Sequence, residues 1–525
     1  MSASDLIRRA RQYAWAGRSA RMLATCQTCV DAYGQDAGVL MALGQLFLEF
    51  GYLDNGRLCF ERLLRRQPGH LAARLNLAAL ALQSAEPARA GQAYLALLSE
   101  YPEHPTIRRN ALLALQYDPA ASEPWRLRQA REWGVWALQR VGSVPPRPVR
   151  VPLNGRPLRV GYLSADFCQH TVGLFARAVL EAHDPTAVEV FAYHAGEHDD
   201  GVTQAIRMVT VWRAVAGLED AALAALIRQD AIDVLVDLSG HTRGSRLAVM
   251  AYRPAPIQVS WLGYFATTGL PVVDAVLLDE WHAPPGAEAA FVERIVRLPR
   301  GRFCYQPIPD APAVSAGVPC RQTGQVTFGS FNNTAKLNAE VIGVWARVLR
   351  SVPDARLVLK WRTLVDRPLC RRLQDAFARE GIAPERVELR PASFHQAMLA
   401  EYAEVDVALD PFPFTGGLTS CEALWMGVPV VTWPQSSVVS RQTFAILSVL
   451  GLSAWAASDA DTYVATAVRL AQDVAEREQL RSTLRSRMLA SPLMQVPDFT
   501  RALEATLRRL FADTPDEPGA FVSDR

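Results

Sequence analysis

The sequence predicts a helical repeat segment followed by two α/β lobes, each built on a mostly parallel sheet. Three observations predict it. Within the first third, one stretch matches the next in a register of 34 residues. After a proline-rich segment, short apolar runs alternate with helical stretches, the pattern of a parallel α/β sheet. That alternation stops at a second proline-rich segment and then resumes, which makes two lobes in tandem.

The repeats come first. "AGVLMALGQLFLEFGYLDNGRLCFERLLRRQPGH", from Ala37, aligns with "LAARLNLAALALQSAEPARAGQAYLALLSEYPEH", from Leu71. Gly44 meets Ala78, Gly56 meets Ala90, Phe60 meets Tyr94, Leu63 meets Leu97 and Pro68 meets Pro102. Small residues sit where two helices cross, and a proline follows the second helix. The pattern resembles tetratricopeptide repeats. Ala3–Asp36 fits the frame more weakly, as a terminal cap does, and a tryptophan-rich helical stretch continues to Arg140. Residues 1–140 therefore read as one helical domain, either a concave groove for an acceptor protein or peptide or a plain scaffold.

Val141–Pro157 is a proline-rich linker. Residues 158–308 form the first lobe, with strand candidates "LRVGYLS", "VEVFAYH", "IDVLVDLSG", "IQVSWLGY", "DAVLLD" and "RIVRLP". Tyr305–Gly324 is a second linker. Residues 325–475 form the second lobe, on "VTFGSFNN", "ARLVLKW", "RVELRPA", "VDVALDPF" and "VPVVTWP". Residues 476–513 read as closing helices and 514–525 as a flexible tail.

Composition narrows the function classes. A chain of 525 residues is too long for one core. A net charge of +2 leaves no footprint for nucleic acid. No apolar run is long enough to span a membrane, and the N-terminus lacks the apolar stretch of a signal peptide. Eight scattered cysteines point to a reduced, cytoplasmic protein. The single close pair, Cys26 and Cys29, has no second pair or histidine at ligand spacing, so it reads as two small apolar residues on a helix and not as a zinc site.

In an open parallel sheet, ligands gather beyond the carboxyl ends of the strands. Asp166 and His170 follow the first strand of the first lobe, and His241, Thr242 and Arg243 follow a later one. In the second lobe, Asn332, Asn333 and Lys336 follow "VTFGSFNN", Lys360 ends a strand, and His395 follows another. Lys336 and Lys360 are the only lysines in a chain with 55 lysines and arginines, which suggests that a compact point charge is needed there. "DPFPFTGGLTSCEALWMGVPVVTWP", from Asp410, is a strand–glycine-loop–helix–strand unit. Gly416 and Gly417 allow close backbone approach, Thr419 or Ser420 can cap the helix, and amides at its start favour a phosphate. Glu422, read as a first-turn acid, can accept from the two hydroxyls of a ribose or simply match the helix dipole. A cation, a phosphate cradle and a diol acceptor together describe a nucleoside diphosphate site. With no clustered aspartates in it, no metal or other cofactor is implied.

Four stretches resemble the catalytic region of glycosyltransferase family 41: "VGYLSADFCQHTVGLF", "RPAPIQVSWLGYFATTG", "FGSFNNTAKLNAEVIGVWARVLRSVPDARLVLK" and "VDVALDPFPFTGGLTSCEALWMGVPVVTWP". The resemblance implies a GT-B fold, two Rossmann-like lobes with a sugar nucleotide in the cleft. It implies inverting transfer from a UDP-sugar, N-acetylglucosamine above all, to a protein serine or threonine. By motif, Lys336 resembles the lysine that binds the donor pyrophosphate. Asn333 falls where a donor-contacting glutamine often sits, Glu422 where an aspartate holds the ribose, His395 near the base, and His170 close to donor and acceptor. The chain departs from the family pattern where many members read His-Thr-Thr: it has "GLTS", with Gly417 in place of the histidine. Two other readings remain open from sequence, an inactive GT-B scaffold that binds partners through its repeats and a sugar-nucleotide epimerase.

Overall fold

The computed structural model describes residues 1–514. Apart from Thr514, the expected tail lies outside the described residues. Eight helices come first: α1 (Ala3–Trp15), α2 (Ser19–Tyr33), α3 (Ala37–Glu49), α4 (Leu53–Arg66), α5 (Leu71–Gln83), α6 (Pro87–Glu100), α7 (Pro105–Leu115) and α8 (Glu123–Val141). Local chemistry sets their ends. Ser2 and Asp5 form a capping box on α1, Asp36 caps α3, and prolines open α6 and α7 where the missing amide costs nothing. The small residues of the repeat register lie at helix crossings. A Cβ at Gly44 would run into the ring of Phe60, which is fully buried. Cys26 and Cys29 are buried in the apolar packing of the first four helices.

The first sheet contains β1 (Leu158–Ser164), β2 (Val188–His194), β3 (Val211–Ala214), β4 (Val234–Asp237), β5 (Ile257–Ser260), β6 (Ala275–Leu278) and β7 (Arg294–Arg297). They lie in the order β3-β2-β1-β4-β5-β6-β7, all parallel. The second sheet contains β8 (Thr327–Ser330), β9 (Arg356–Lys360), β10 (Val387–Arg390), β11 (Val407–Leu409) and β12 (Val430–Val431), in the order β10-β9-β8-β11-β12, again parallel. The strands are apolar almost throughout because helices cover both faces of each sheet. Each order reverses once, between β1 and β4 in the first sheet and between β8 and β11 in the second. A crevice opens at such a reversal, because the two neighbouring connections leave in opposite directions.

The chain closes by crossing back. Helices Ala460–Gln472 and Val474–Ala490 pack on the second lobe, where buried Arg481 donates to the carbonyls of Tyr402, Met426 and Val405. Helix Val496–Asp513 returns to the first lobe, stacks Phe499 on Trp261 and offers Glu504 to the imidazole of His183 at 2.8 Å. The repeats are bonded to both lobes. Arg362 of the second lobe donates to the carbonyls of Leu48 and Glu49 and to Gln83, and Asp366 accepts from the amide of Asp54 at 2.8 Å. On the first lobe, α8 approaches so closely that a Cβ at Gly134 would overlap the carbonyl of Gly269. Among the described residues, no helix is long and apolar enough to cross a membrane.

Candidate active site between the lobes

The two sheet reversals face each other across a cleft of about 430 Å³. One wall carries Asp166 and His170 from the β1 exit and Thr242 and Arg243 from the β4 exit. The other carries Asn332, Asn333 and Lys336 from the β8 exit and Gly417 and Thr419 from the β11 exit. Leu113 and Tyr117, at the end of α7, close the side next to the repeats.

The second-lobe wall is tightly bonded. Lys336 Nζ donates to Asn332 Oδ1 at 3.0 Å and to the Thr415 carbonyl at 2.9 Å, and sits 5.0 Å from the ring centroid of Phe414. Asn332 Oδ1 also accepts from Thr419 Oγ1 at 3.0 Å, so one amide oxygen ties the lysine to the helix Leu418–Trp425. Burial pushes the Lys336 ammonium down to about 8, against the pull of the Asp410 carboxylate. Asp410 is itself pushed up by burial to about 6, and it accepts from the Gly416 amide at 2.6 Å and from Thr432 Oγ1 at 2.7 Å. Only glycine fits at position 416, since a Cβ there would strike Ser420 Oγ and Thr419 Oγ1.

The helix begins at Leu418, after Gly417, with no side-chain cap. The expected cap from Thr419 or Ser420 is therefore corrected: both lie inside the helix, and Ser420 Oγ is paired with Thr443 Oγ1 at 2.7 Å, away from the cleft. Without a cap, the opening amides stay available to an anion beside Lys336. A Cβ at Gly417 would come within 3.3 Å of Gln442 Oε1, so the space a larger residue would use is bordered by Gln442, which also lines the cleft.

Glu422 lies in the second turn of the helix, not the first as expected, and is buried. Its Oε1 is 2.5 Å from His395 Nε2, and His395 Nδ1 is 3.2 Å from Gln169 Nε2 of the opposite lobe. The hydrogen bond to Glu422 raises the His395 pKa, while burial raises that of Glu422 against the pull of the imidazole. Asn333 lines the cleft, and its Oδ1 accepts from the amide of Ala335 at 3.0 Å. Lys360 does not reach the cleft. Its ammonium is held by Glu401 at 2.8 Å and the Pro391 carbonyl at 2.7 Å, so the expectation that it shares the phosphate space does not fit its surroundings.

The first-lobe wall is more open. The His170 side chain is 49% exposed and its Nδ1 accepts from the Val172 amide at 3.3 Å, capping the following helix. That bond places the proton of the neutral ring on Nε2. Asp166 Oδ2 lies 3.7 Å from Nδ1, and burial raises its pKa. His241 is fully buried, its Nε2 2.8 Å from the Thr268 carbonyl, and burial pushes it down to about 4, a structural role. Among the described residues, no group of three or more His, Cys, Asp or Glu side chains is placed to hold a metal.

A family model described as glycosyl transferase family 41 matches residues 144–306 and 319–503, the greater part of the chain. The chain belongs to family 41. The Arabidopsis thaliana protein called the probable UDP-N-acetylglucosamine–peptide N-acetylglucosaminyltransferase SPINDLY is 36% identical over 78% of this chain. A Caenorhabditis elegans UDP-N-acetylglucosamine–peptide N-acetylglucosaminyltransferase is 23% identical over 68% of it. These matches cover 45% and 41% of the two relatives, so the chain spans about half the length of the curated relatives it matches. A solved structure of a lysine-to-methionine mutant of the Thermobaculum terrenum O-GlcNAc transferase is 33% identical, covers 98% of both chains and superposes with a TM-score of 0.86. The architecture of helical repeats plus two GT-B lobes is thus that of family 41.

Three residues of the site carry little or no signal in the sequence. Asn332 reads there only as a strand exit beside Asn333, yet it joins Lys336 to Thr419. The "FNN" pair is the available signal, but only the folded turn shows that Asn332 is the one bonded to Lys336. Gln442 and Gln169 had no sequence signal, because each meets its partner through long-range packing.

Proposed function

We propose that this chain is an inverting glycosyltransferase that moves N-acetylglucosamine from its UDP donor to a serine or threonine hydroxyl of a protein. The observation that carries the reading is the junction of Lys336, Asn332 and Thr419 at an uncapped helix start. Likeness to relatives whose names state the same donor and a peptide acceptor supports it.

In this reading the acceptor oxygen attacks the anomeric carbon from the face opposite the diphosphate. A bond forms to the acceptor oxygen, the bond to the phosphate oxygen breaks, and its electron pair leaves with UDP. The charge that develops there meets the Lys336 ammonium and the amides opening the helix at Leu418. Fixed donors of this kind are worth more to the transition state than to the ground state. Gly416 and Gly417 let the phosphates approach the backbone, and the His395–Glu422 pair serves the nucleoside end. On the opposite wall, His170 takes the acceptor proton at Nε2 once the ring proton sits on Nδ1, a tautomer in which Nδ1 gives up the Val172 amide and turns its N–H toward Asp166.

The test is a cell lysate treated with the protein and a panel of UDP-sugars, read by intact-protein mass spectrometry. The expected result is an N-acetylhexosamine increment on protein, lost on alkaline β-elimination as an O-link to serine or threonine is. Release of free sugar with no protein modified would contradict the proposal.

A further inference from the structure

Three arginines from three different parts of the fold gather where the repeats open into the cleft. Arg109 lies on α7, one turn before Leu113, and Leu113 and Tyr117 line the cleft. Arg243 follows β4 and lines the cleft itself, beside Asp166 and His170. Arg362 follows Trp361, another lining residue, at the exit of β9. Arg243 stands between the other two in effect: its charge depresses the pKa of both Arg109 and Arg362, in addition to the larger effect of burial.

The charges are not neutralised locally. Arg109 bonds only to the amide oxygen of Asn110, at 3.3 and 3.4 Å. Arg362 bonds to two backbone carbonyls and to Gln83. Among the described residues, none of the three has a carboxylate within 4.0 Å, although ion pairs are common elsewhere in the chain. The carboxylates that face the group are few. Glu49 acts on Arg362 but is paired to Arg11 at 3.1 Å, and Asp166, which feels the charge of Arg243, is desolvated in the cleft wall. Keeping three like charges together, two of them partly buried, is costly unless an anionic group meets them.

The donor phosphates already have Lys336 and the helix amides on the other wall. Arg109 stands on α7, the helix whose end closes the repeat side of the cleft, and Arg243 stands inside the cleft beside His170. We propose that Arg109, Arg243 and Arg362 form an acceptor subsite for acidic side chains of the protein substrate. It selects serine or threonine sites with glutamate or aspartate nearby in the sequence. This rests on the transferase reading for the identity of the acceptor, but it is tested without turnover.

The experiment uses the full chain and three fluorescein-labelled serine-containing peptides that differ only in four flanking positions, glutamate, glutamine or lysine. Binding is read by polarisation at low salt, with UDP affinity measured alongside by calorimetry. The glutamate peptide should bind roughly tenfold more tightly than the glutamine peptide, and the difference should shrink as salt rises. In R109Q/R243Q the difference should fall to about twofold or less, with UDP affinity unchanged. R243Q alone, an exposed loop substitution, should lose part of it and guards against misfolding of the double variant. Equal binding of the three peptides by the unaltered chain would overturn the proposal. So would a preference that survives in R109Q/R243Q, a matching loss of UDP affinity, or tighter capture of a single-stranded oligonucleotide than of the acidic peptide. A chain that prefers the acidic peptide but binds no UDP would leave the subsite standing and sink the transferase reading instead.

Discussion

The two walls of the cleft are built from the same topological feature and finished differently. On the second lobe, most polar side chains at the β8 and β11 exits are committed, while the amides opening the helix at Leu418 have no side-chain cap. Lys336, Asn332, Thr415, Thr419, Asp410 and Gly416 form one connected set of hydrogen bonds, braced from behind by Tyr463, whose hydroxyl donates to the Asp410 carbonyl at 3.0 Å. On the first lobe, His170 is half exposed and Arg243 is exposed without an ion pair among the described residues. A wall fixed in advance suits a ligand that is always the same, such as a diphosphate. A wall with open groups suits one that varies, such as a protein side chain. The cost of the fixed wall is a buried cation, and the benefit is that no reorganisation is needed as charge develops.

The comparison can be broken most sharply at Lys336. Lys336→Ala should lower transfer by roughly 100-fold or more in a purified assay, as removal of an oxyanion donor does. Near-normal transfer would remove the lysine from the mechanism. Gly416→Ala should weaken UDP binding by about tenfold or more, because the methyl would displace Ser420 and Thr419 and carry the helix start out of place. Calorimetry that finds UDP affinity unchanged would show that the cradle is not rigid.

His170→Ala probes the other wall. It should reduce kcat by about 100-fold and leave UDP affinity within about twofold. Equal loss of both would move His170 to the donor side and erase the division of labour between the walls. The pH profile follows from the sign of the lysine shift. Lys336 must be protonated to act and its pKa is pushed down to about 8, so kcat/KM should fall as pH rises through that value. A plateau extending to pH 10 would mean that the ammonium is not needed. The smallest effect is expected at Lys360, bonded to Glu401 and outside the cleft. Lys360→Met should lower Tm by breaking a buried pair, yet leave kcat/KM within about twofold.

The 34-residue register and the two runs of alternating strands were legible because both are short-range periodicities. Strand exits were legible for the same reason, and the cleft holds His170, Lys336, Gly417 and Thr419 at such exits. What escaped depended on direction and partner. Neighbouring asparagines in one turn point different ways, so Asn332 and Asn333 could not be ranked. Lys360 ends β9, one strand away from the reversal and beside β10, where Glu401 takes its charge. Glu422 is drawn toward His395, 27 residues earlier in the chain, a pairing that only the folded lobe creates.

The most direct test is a crystal of the protein soaked with UDP. The account predicts the diphosphate within hydrogen-bond distance of Lys336 Nζ and of the backbone amides between Gly417 and Thr419, on the second-lobe wall. Phosphates bound instead against Arg243 and His170, or a nucleotide outside the cleft, would contradict it.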